Sequence, residues 1–115
     1  MSKKDDDGVI RFLEGVRRRC PEMPAVLEAL GDLYTKVGRV EEGLSIDREL
    51  TVRDPANATY WYNLACSLSL VGQPDDALSA LAKAVQCGYD DWKWMQQDDD
   101  LGSIRQSPAF EALIA

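Results

Sequence analysis

Between positions 24 and 37, apolar residues recur at every third or fourth position, which is the spacing of one face of an α-helix. The positions concerned are Leu27, Leu30, Tyr34 and Val37. Gly38 follows directly, where glycine adopts a left-handed helix cap at the least cost. The next stretch, VEEGLSIDRELTV, begins with acidic residues that favour a helix N-terminus and is stopped by Arg53-Asp54-Pro55. The pattern therefore predicts two helices joined as a hairpin.

The hairpin pattern occurs a second time along the chain. The segment VGRVEEGLS at 37–45 aligns with VGQPDDALS at 71–79, an offset of 34 residues, and the same offset pairs Pro21 with Pro55. The stretch VIRFLEGVRRRCP has the spacing of a single further helix before the first hairpin. Because a fixed period of this length indicates a repeat architecture, we predict the following division: a half repeat at 9–21, repeats at 24–55 and 58–89, and a tail at 90–115.

These residues resemble the tetratricopeptide repeat, whose pattern is Trp-x-x-Leu-Gly-x-x-Tyr, then Ala-x-x-x-Phe, then Pro. In the first copy the corresponding positions are Leu27, Leu30, Gly31, Tyr34, Gly43, Asp47 and Pro55. In the second copy they are Trp61, Leu64, Ala65, Leu68, Ala77 and Leu81, with Tyr89 in place of the final Pro. The resemblance covers residues 9 to 89.

The resemblance implies an all-α fold, a right-handed superhelical stack of antiparallel helical hairpins. Gly31 and Ala65 are expected to be small because the two helices of each hairpin approach closely there, and Gly43 and Ala77 are expected to do the same on the partner helix. Asp47 replaces a core aromatic residue of the family pattern. We expect it to tilt outward, with Ile46 or Leu50 filling the gap.

The tail is expected to cap the last repeat, as do the tails that follow the last repeat in some bacterial proteins of this family. Trp92 and Met95 are three residues apart, as are Leu101 and Ile104. A last short helix is predicted to begin near Pro108, with an apolar stripe of Phe110, Leu113 and Ile114. Trp94 lies off the line of Trp92 and Met95, and we expect it to be partly exposed.

Composition and charge exclude several function classes. The chain has 115 residues, of which 45% are apolar, and carries 20 acidic against 13 basic residues, a net charge of −7. Nucleic acid binding needs a concentrated basic surface, and the one basic cluster, Arg17-Arg18-Arg19, is interpreted as a solvated helix end. No run approaches membrane-spanning length and MSKKDDDG lacks the apolar stretch of a secretion signal. We therefore predict a protein that binds neither nucleic acid nor membrane.

Candidate chemistry in the chain is sparse. There is no His, and Cys20, Cys66 and Cys87 form no CxxC pair, so we predict no metal, no cofactor and free thiols in a reducing cytoplasm. The acidic runs at 5–7 and 98–100 lack the spacing of a calcium loop and are interpreted as helix caps and solvated turns. No nucleophile–base pair is recognisable, which predicts a protein that is not an enzyme.

Function is therefore expected on a surface. In the resembled family, the first helices of successive hairpins line a concave groove that takes a peptide. The residues predicted for this groove are Glu28, Asp32, Thr35, Lys36, Tyr62, Asn63, Cys66, Ser69, Leu70 and Lys93. Of the three adjacent aromatic residues, Trp61 is predicted to pack between hairpins, Tyr60 to face the preceding helix and Tyr62 to be offered to a ligand. The alternative for each groove position is an ordinary solvated side chain.

The family's clamp for acidic chaperone tails sets an expectation about the ligand. Asn63 and Lys93 match positions of that clamp, whereas Glu28 and Asp32 stand where its first Lys and Asn would be. Because two carboxylates repel an acidic peptide, we predict a non-enzymatic module for a partner protein whose bound segment is neutral or basic. The alternative is self-association as a homodimer through the half repeat, where apolar residues need cover: Val9, Phe12, Leu13 and Val16.

Overall fold

The computed structural model describes residues 3–115, and this part of the chain contains helices and no strand. The elements are α1 (Lys3–Arg19), α2 (Pro24–Lys36), α3 (Val40–Arg53), α4 (Ala58–Leu70), α5 (Pro74–Gln86), α6 (Trp92–Met95), a 3-10 turn (Asp99–Leu101) and α7 (Pro108–Ile114). The predicted all-α class is confirmed. No described helix is both long and apolar enough to cross a bilayer.

The helix ends follow the predicted punctuation. Gly38, Gly72 and Gly88 have φ angles of 88°, 80° and 107°, a conformation that glycine adopts without the steric cost of a Cβ. The side chain of Asn57 caps α4 by accepting a hydrogen bond from the backbone N–H of Tyr60 at 3.2 Å. The bounds of α2 and α4 differ by the same 34 residues that separate the sequence repeats.

Successive helices from α1 to α5 pack on one another, and the tail packs back on α4 and α5. One buried cluster joins α1, α2, α3 and the start of α4; its members are Ile10, Val26, Leu27, Leu30, Tyr34, Ile46, Leu50 and Tyr60. A second cluster joins α4, α5 and the tail, and the tail contributes Met95, Leu101, Ile104 and Phe110, all almost fully buried. The tail therefore covers the apolar faces that α4 and α5 leave, and α7 begins at Pro108 as predicted.

The small residues of α2, α3, α4 and α5 are buried, as expected, and those of α2 and α3 lie where these two helices meet closely. A Cβ placed on Gly31 would lie 3.2 Å from Ile46 Cγ2, and one placed on Gly43 would lie 2.5 Å from Thr35 Oγ1. Ala65 and Ala77 have no exposed surface. Because interiors are close-packed, these contacts leave no room for a larger side chain.

Several side chains differ from their sequence predictions. Asp47 does not tilt outward: it is buried together with Ile46 and Leu50, because Ser67 of α4 supplies a hydrogen-bond donor. Trp92 is 39% exposed although Met95, three residues later, is buried, since α6 is a single turn that buries only one of its faces. Trp61 packs against the second cluster yet stays partly exposed, and its indole N–H donates to the carbonyl of Pro55 at 2.8 Å.

The first helix is longer than the half repeat at 9–21, since it runs over Lys3–Arg19. Ile10 is fully buried, and Leu13 and Val16 pack against the first cluster. Val9 and Phe12 are exposed. The apolar set predicted for this helix is therefore divided between the core and the surface.

Candidate functional site

A cavity of about 460 Å³ opens where α2, α3, α4 and the tail meet. Its lining residues are Gly31, Asp32, Thr35, Lys36, Asp47, Tyr62, Asn63, Cys66, Ser67, Trp94, Asp98 and Asp100. A volume of this size lies in the range of about 300–1,000 Å³ that is typical of ligand sites. We treat this cavity as the candidate functional site.

The predicted groove residues divide between this cavity and other parts of the surface. The cavity brings together Asp32, Thr35, Lys36, Tyr62, Asn63 and Cys66. Glu28 lines an adjoining cavity of about 290 Å³, which shares Asp32, Asp47 and Asn63 with the first.

Three predicted groove residues lie outside both cavities. Ser69 is buried, and its hydroxyl lies 2.6 Å from that of Ser103 in the tail. Leu70 is exposed beside the start of α3, in a different depression. Lys93 is exposed on α6 and lines neither cavity, because α6 turns Trp94 toward the cavity instead.

Tyr62 forms part of the cavity wall and is not the exposed aromatic residue that the sequence predicted. It is 5% exposed. Its ring stacks on that of Tyr89, with centroids 4.2 Å apart and planes 3° from parallel, and its hydroxyl donates to Asp98 Oδ2 at 2.7 Å. Burial, and then this bond, raise the pKa of Tyr62 far above its ordinary value. Tyr60 faces the preceding helix as predicted, buried among residues of α2 and α3 and donating to Glu28.

In the second acidic run, Asp98 caps the 3-10 turn as predicted, but it is buried in the lining of the cavity and is not solvated, whereas Asp99 is exposed. Asp98 Oδ2 also accepts from the Cys66 thiol at 3.6 Å, and Oδ1 accepts from the backbone N–H of Asp100 at 3.0 Å. Burial, reinforced by Asp98, raises the pKa of the Cys66 thiol well above its usual range. The thiol is therefore held protonated, and Asp98 organises this wall of the cavity.

Asp47 reaches the cavity from α3. Ser67 Oγ donates to its Oδ2 at 2.5 Å, and its Oδ1 lies over Gly31, 3.3 Å from the position that a Cβ would take there. Burial raises the pKa of Asp47 to about 6, against the hydrogen bond from Ser67 and with added repulsion from Asp32. Asp47 therefore keeps most of its charge at neutral pH, at a cost to the folded state.

The cavity lining carries four carboxylates, Asp32, Asp47, Asp98 and Asp100, against a single ammonium, that of Lys36. Burial raises the pKa of Asp32, with a further contribution from Glu28. Burial also raises the pKa of Asp100, followed by the charges of its two acidic neighbours. Both shifts indicate a local excess of negative charge in a partly desolvated site.

Comparison with known proteins gives one informative similarity. No family model matches the chain. In an alignment of 86 positions that covers 70% of this chain, it is 34% identical to a chloroplastic protein of Arabidopsis thaliana. The match spans a quarter of that relative's length. The tetratricopeptide resemblance therefore stays an interpretation of the sequence, and the chloroplast location is that of the plant protein alone.

One group of side chains in the cavity has the elements of a metal site. Single ligand atoms of Cys66, Asp98 and Asp100 lie within 4.8 Å of one another. Both oxygens of Asp98 already accept hydrogen bonds, and the thiol is protonated for the reason given above. A cation at this point would have to displace the bonds from Tyr62 and Cys66, so the arrangement favours a hydrogen-bonded network.

The same network bears on nucleophilic chemistry. A thiol acts as a nucleophile in its ionised form, and burial beside Asp98 opposes ionisation of Cys66. The other two cysteines, Cys20 and Cys87, are free thiols that do not line the cavity. The cavity is thus polar and negatively charged, and its one thiol, that of Cys66, is not an activated nucleophile.

Proposed function

We propose that this chain is a non-catalytic interaction module of the tetratricopeptide type, which binds a peptide or partner helix across α2 and α4. The observation that carries the proposal is the cavity, to which the first helices of the two predicted hairpins contribute most of the lining. The 34-residue offset of the helix bounds and the glycine caps at Gly38 and Gly72 support the interpretation as stacked hairpins.

The charge of the site supports a neutral or basic bound segment. The two cavities adjoin through Asp32, Asp47 and Asn63, so an extended segment lying along them would meet carboxylates in both cavities. An acidic chaperone tail would be repelled there, because Glu28 and Asp32 stand where the family's clamp has a Lys and an Asn.

The experiment is a binding titration with matched peptides. Random peptides would be selected on the immobilised chain, and the enriched sequence would be titrated as wild type and with its basic residues replaced by Glu. We expect micromolar binding that is weakened by Asp32→Lys and Asn63→Ala and left unchanged by Asp90→Lys, which changes an exposed residue outside the cavity. Tyr62 is unsuitable as a probe because it is part of the core. Tight binding of an acidic C-terminal peptide, or no enrichment, would reject the proposal.

Self-association through α1 is a second candidate, favoured by one observation. Phe12 is 65% exposed and lies next to the exposed Val9 on the outer surface of α1, whereas Leu13 and Val16 are already covered. Light scattering at high protein concentration tests it. A homodimer that Phe12→Glu dissociates would support this candidate, and a monomer would exclude it.

The compartment is also part of the proposal. All three cysteines are free, which fits a reducing compartment such as the cytoplasm. The location of the plant relative adds the chloroplast as an alternative. Localisation of a fluorescent fusion in the source cell distinguishes the two.

A further inference from the structure

Three carboxylates of the cavity have oxygens without a partner. Among the described residues, the Asp47 side chain has one hydrogen bond, the one that Ser67 donates to Oδ2. Its Oδ1 has none and lies above Gly31 on the cavity wall. Asp47 as a whole is 7% exposed. The side chains of Asp32 and Asp100 have neither a hydrogen bond nor an ion pair with any described residue. Asp32 is exposed and keeps its contact with water, whereas Asp47 is buried and Asp100 is half-buried. A carboxylate without a partner is costly in such places, so a bound cation would stabilise this site.

Among the described residues, the cavity holds no cation of its own that could complete it. Lys36 is the one basic residue in the lining, and its ammonium lies 3.4 Å from Asp6 of α1. Asp6 is 2% exposed and its other carboxylate oxygen has no hydrogen-bond partner in the described part of the chain. If Lys36 turned into the cavity, Asp6 would become a buried charge without compensation, which is strongly unfavourable. Lys36 is therefore committed to α1.

We propose that the cavity anchors one basic side chain of the bound segment, an arginine in preference to a lysine, between the free oxygens of Asp47, Asp32 and Asp100. This inference rests on the proposed function, because it names the group by which the groove holds its partner. A planar guanidinium offers five N–H donors, which suits a cavity whose lining includes carboxylates from α2, α3 and the tail.

The exposed aromatic ring at the site supports the preference for arginine. Trp94 is 48% exposed and lines the same cavity, and guanidinium groups stack on indole faces more readily than ammonium groups do. Asp98 does not take part, because its oxygens are engaged by Tyr62, Cys66 and the backbone of Asp100. The rest of the bound segment could lie in the adjoining cavity, which Glu28 lines.

The first experiment isolates the anchor. N-acetyl-arginine methylamide would be titrated into the ¹⁵N-labelled chain and followed by chemical shifts of the Trp94 indole N–H and of Ser67. The neutral isostere, N-acetyl-citrulline methylamide, is the matched ligand control. We expect saturable shifts with arginine, weaker ones with the lysine analogue and none with citrulline. Asp47→Asn and, independently, Asp100→Asn should each weaken arginine binding about threefold to tenfold, and the exposed Asp90→Asn should leave it unchanged.

Further titrations distinguish binding of the arginine derivative from binding of other cations. Spermidine tests a free polyamine, and ZnCl₂ and CaCl₂ test a metal at Cys66, Asp98 and Asp100. Saturation by one of these without saturation by the arginine derivative would overturn the proposal, as would equal binding of citrulline.

The peptide selection distinguishes failure of the anchor from failure of the groove. Selected peptides that share an arginine, and lose their affinity when it is replaced by citrulline or when Asp47→Asn and Asp100→Asn are combined, support both proposals. Selected peptides that bind without any basic residue sustain the groove and overturn the anchor. A chain that selects no peptide and shows no arginine-dependent shift overturns both. Circular dichroism of each variant verifies that the helices are retained.

Discussion

The hydroxyl of Tyr62 donates a hydrogen bond of 2.7 Å to Asp98, and this bond ties α4 to a residue 36 positions later in the tail. Stacking of Tyr62 on Tyr89 holds the ring in place. The tail therefore does more than cover apolar surface: it brings Asp98, Asp100 and Trp94 to the cavity that α2 and α4 begin.

Tyr62→Phe removes this bond and keeps the ring stack. Because Asp98 is buried and would lose a donor, we expect the free energy of unfolding to fall by about 1–3 kcal/mol, measured by urea denaturation. Tyr60→Phe is the matched control, since Tyr60 donates to Glu28, whose side chain is exposed and can bond to water instead. Its loss should be below about 1 kcal/mol. Equal losses in the two variants would show that the burial of Asp98 is not what matters.

The elements that the sequence predicts well are those set by neighbouring residues. The apolar period, the capping glycines and the prolines at the starts of α2, α5 and α7 act within one helical turn, so each could be located without knowing the rest of the fold. The buried small residues Gly31 and Gly43 could also be predicted, because the family resemblance implies small residues where paired helices meet.

The cavity could be predicted only in part, because its other half depends on contacts between distant segments. Asp32, Thr35 and Asn63 follow from helix register. The sequence predicts that the tail caps the last repeat, but it does not reveal that the tail buries Asp98, since an acidic run is ordinarily solvated. It likewise gives no sign that Ser67 lies opposite Asp47 across two helices. In both cases, Asp98 and Asp47, the sequence predicts an exposed carboxylate where the structure has a buried one.

Gly43→Ala should destabilise the protein. The new Cβ would lie 2.5 Å from Thr35 Oγ1, and such overpacking costs about 1–3 kcal/mol. At the offset of 34 residues, Ala77 corresponds to Gly43 and Ser69 corresponds to Thr35. Thr35→Ser combined with Gly43→Ala should therefore recover part of the loss, because a serine hydroxyl can rotate away. Thermal and urea denaturation of the single and double variants measure this coupling.

Gly15→Ala is the control for the Gly43 variants. A Cβ on Gly15, in the middle of α1, would meet only Arg18 Nη2 at 3.7 Å. Removing glycine from an uncrowded helix interior should stabilise the protein by about 0.5–1 kcal/mol. The same substitution is therefore expected to act with opposite sign at the two sites, and destabilisation at both would contradict the close-contact argument.

Phe110→Ala tests whether the tail is held by its apolar anchor. Phe110 is 2% exposed and lies in the second cluster with residues of α4 and α5. Truncation should lower the free energy of unfolding by about 3–5 kcal/mol. It should also increase the rate of amide hydrogen exchange more at Asp98 and Leu101 than in α4. Trp92→Ala, at an exposed position of the same tail, should cost less than about 1 kcal/mol. Similar effects of the two would mean that the tail is not held through Phe110.

Asp47→Asn should stabilise the protein at neutral pH and above. Burial raises the pKa of Asp47 from 3.8 to about 6, so the folded state binds a proton more tightly than the unfolded state does. Wild-type stability contributed by this group is therefore present below about pH 4 and is lost as the pH rises through about 6. Asparagine carries no charge and can still accept the bond from Ser67. We expect a gain of about 1–3 kcal/mol at about pH 8.

The pH dependence of that gain separates charge from shape. Asp32 of α2 faces Asp47 and opposes its charge, and Lys36, Asp98 and Asp100 line the same cavity. Because these groups are shared by both proteins, the difference between wild type and Asp47→Asn in urea denaturation isolates Asp47. The difference should shrink toward zero at about pH 4, where Asp47 is protonated in the folded state. A difference that is constant with pH would mean that packing changed, whereas Asp90→Asn, at an exposed position, should show no gain. Asp47 is thus both a carboxylate of the proposed arginine site and a residue whose ionisation lowers the stability of the unbound protein. When a guanidinium is bound, Asp47→Asn should therefore destabilise the protein.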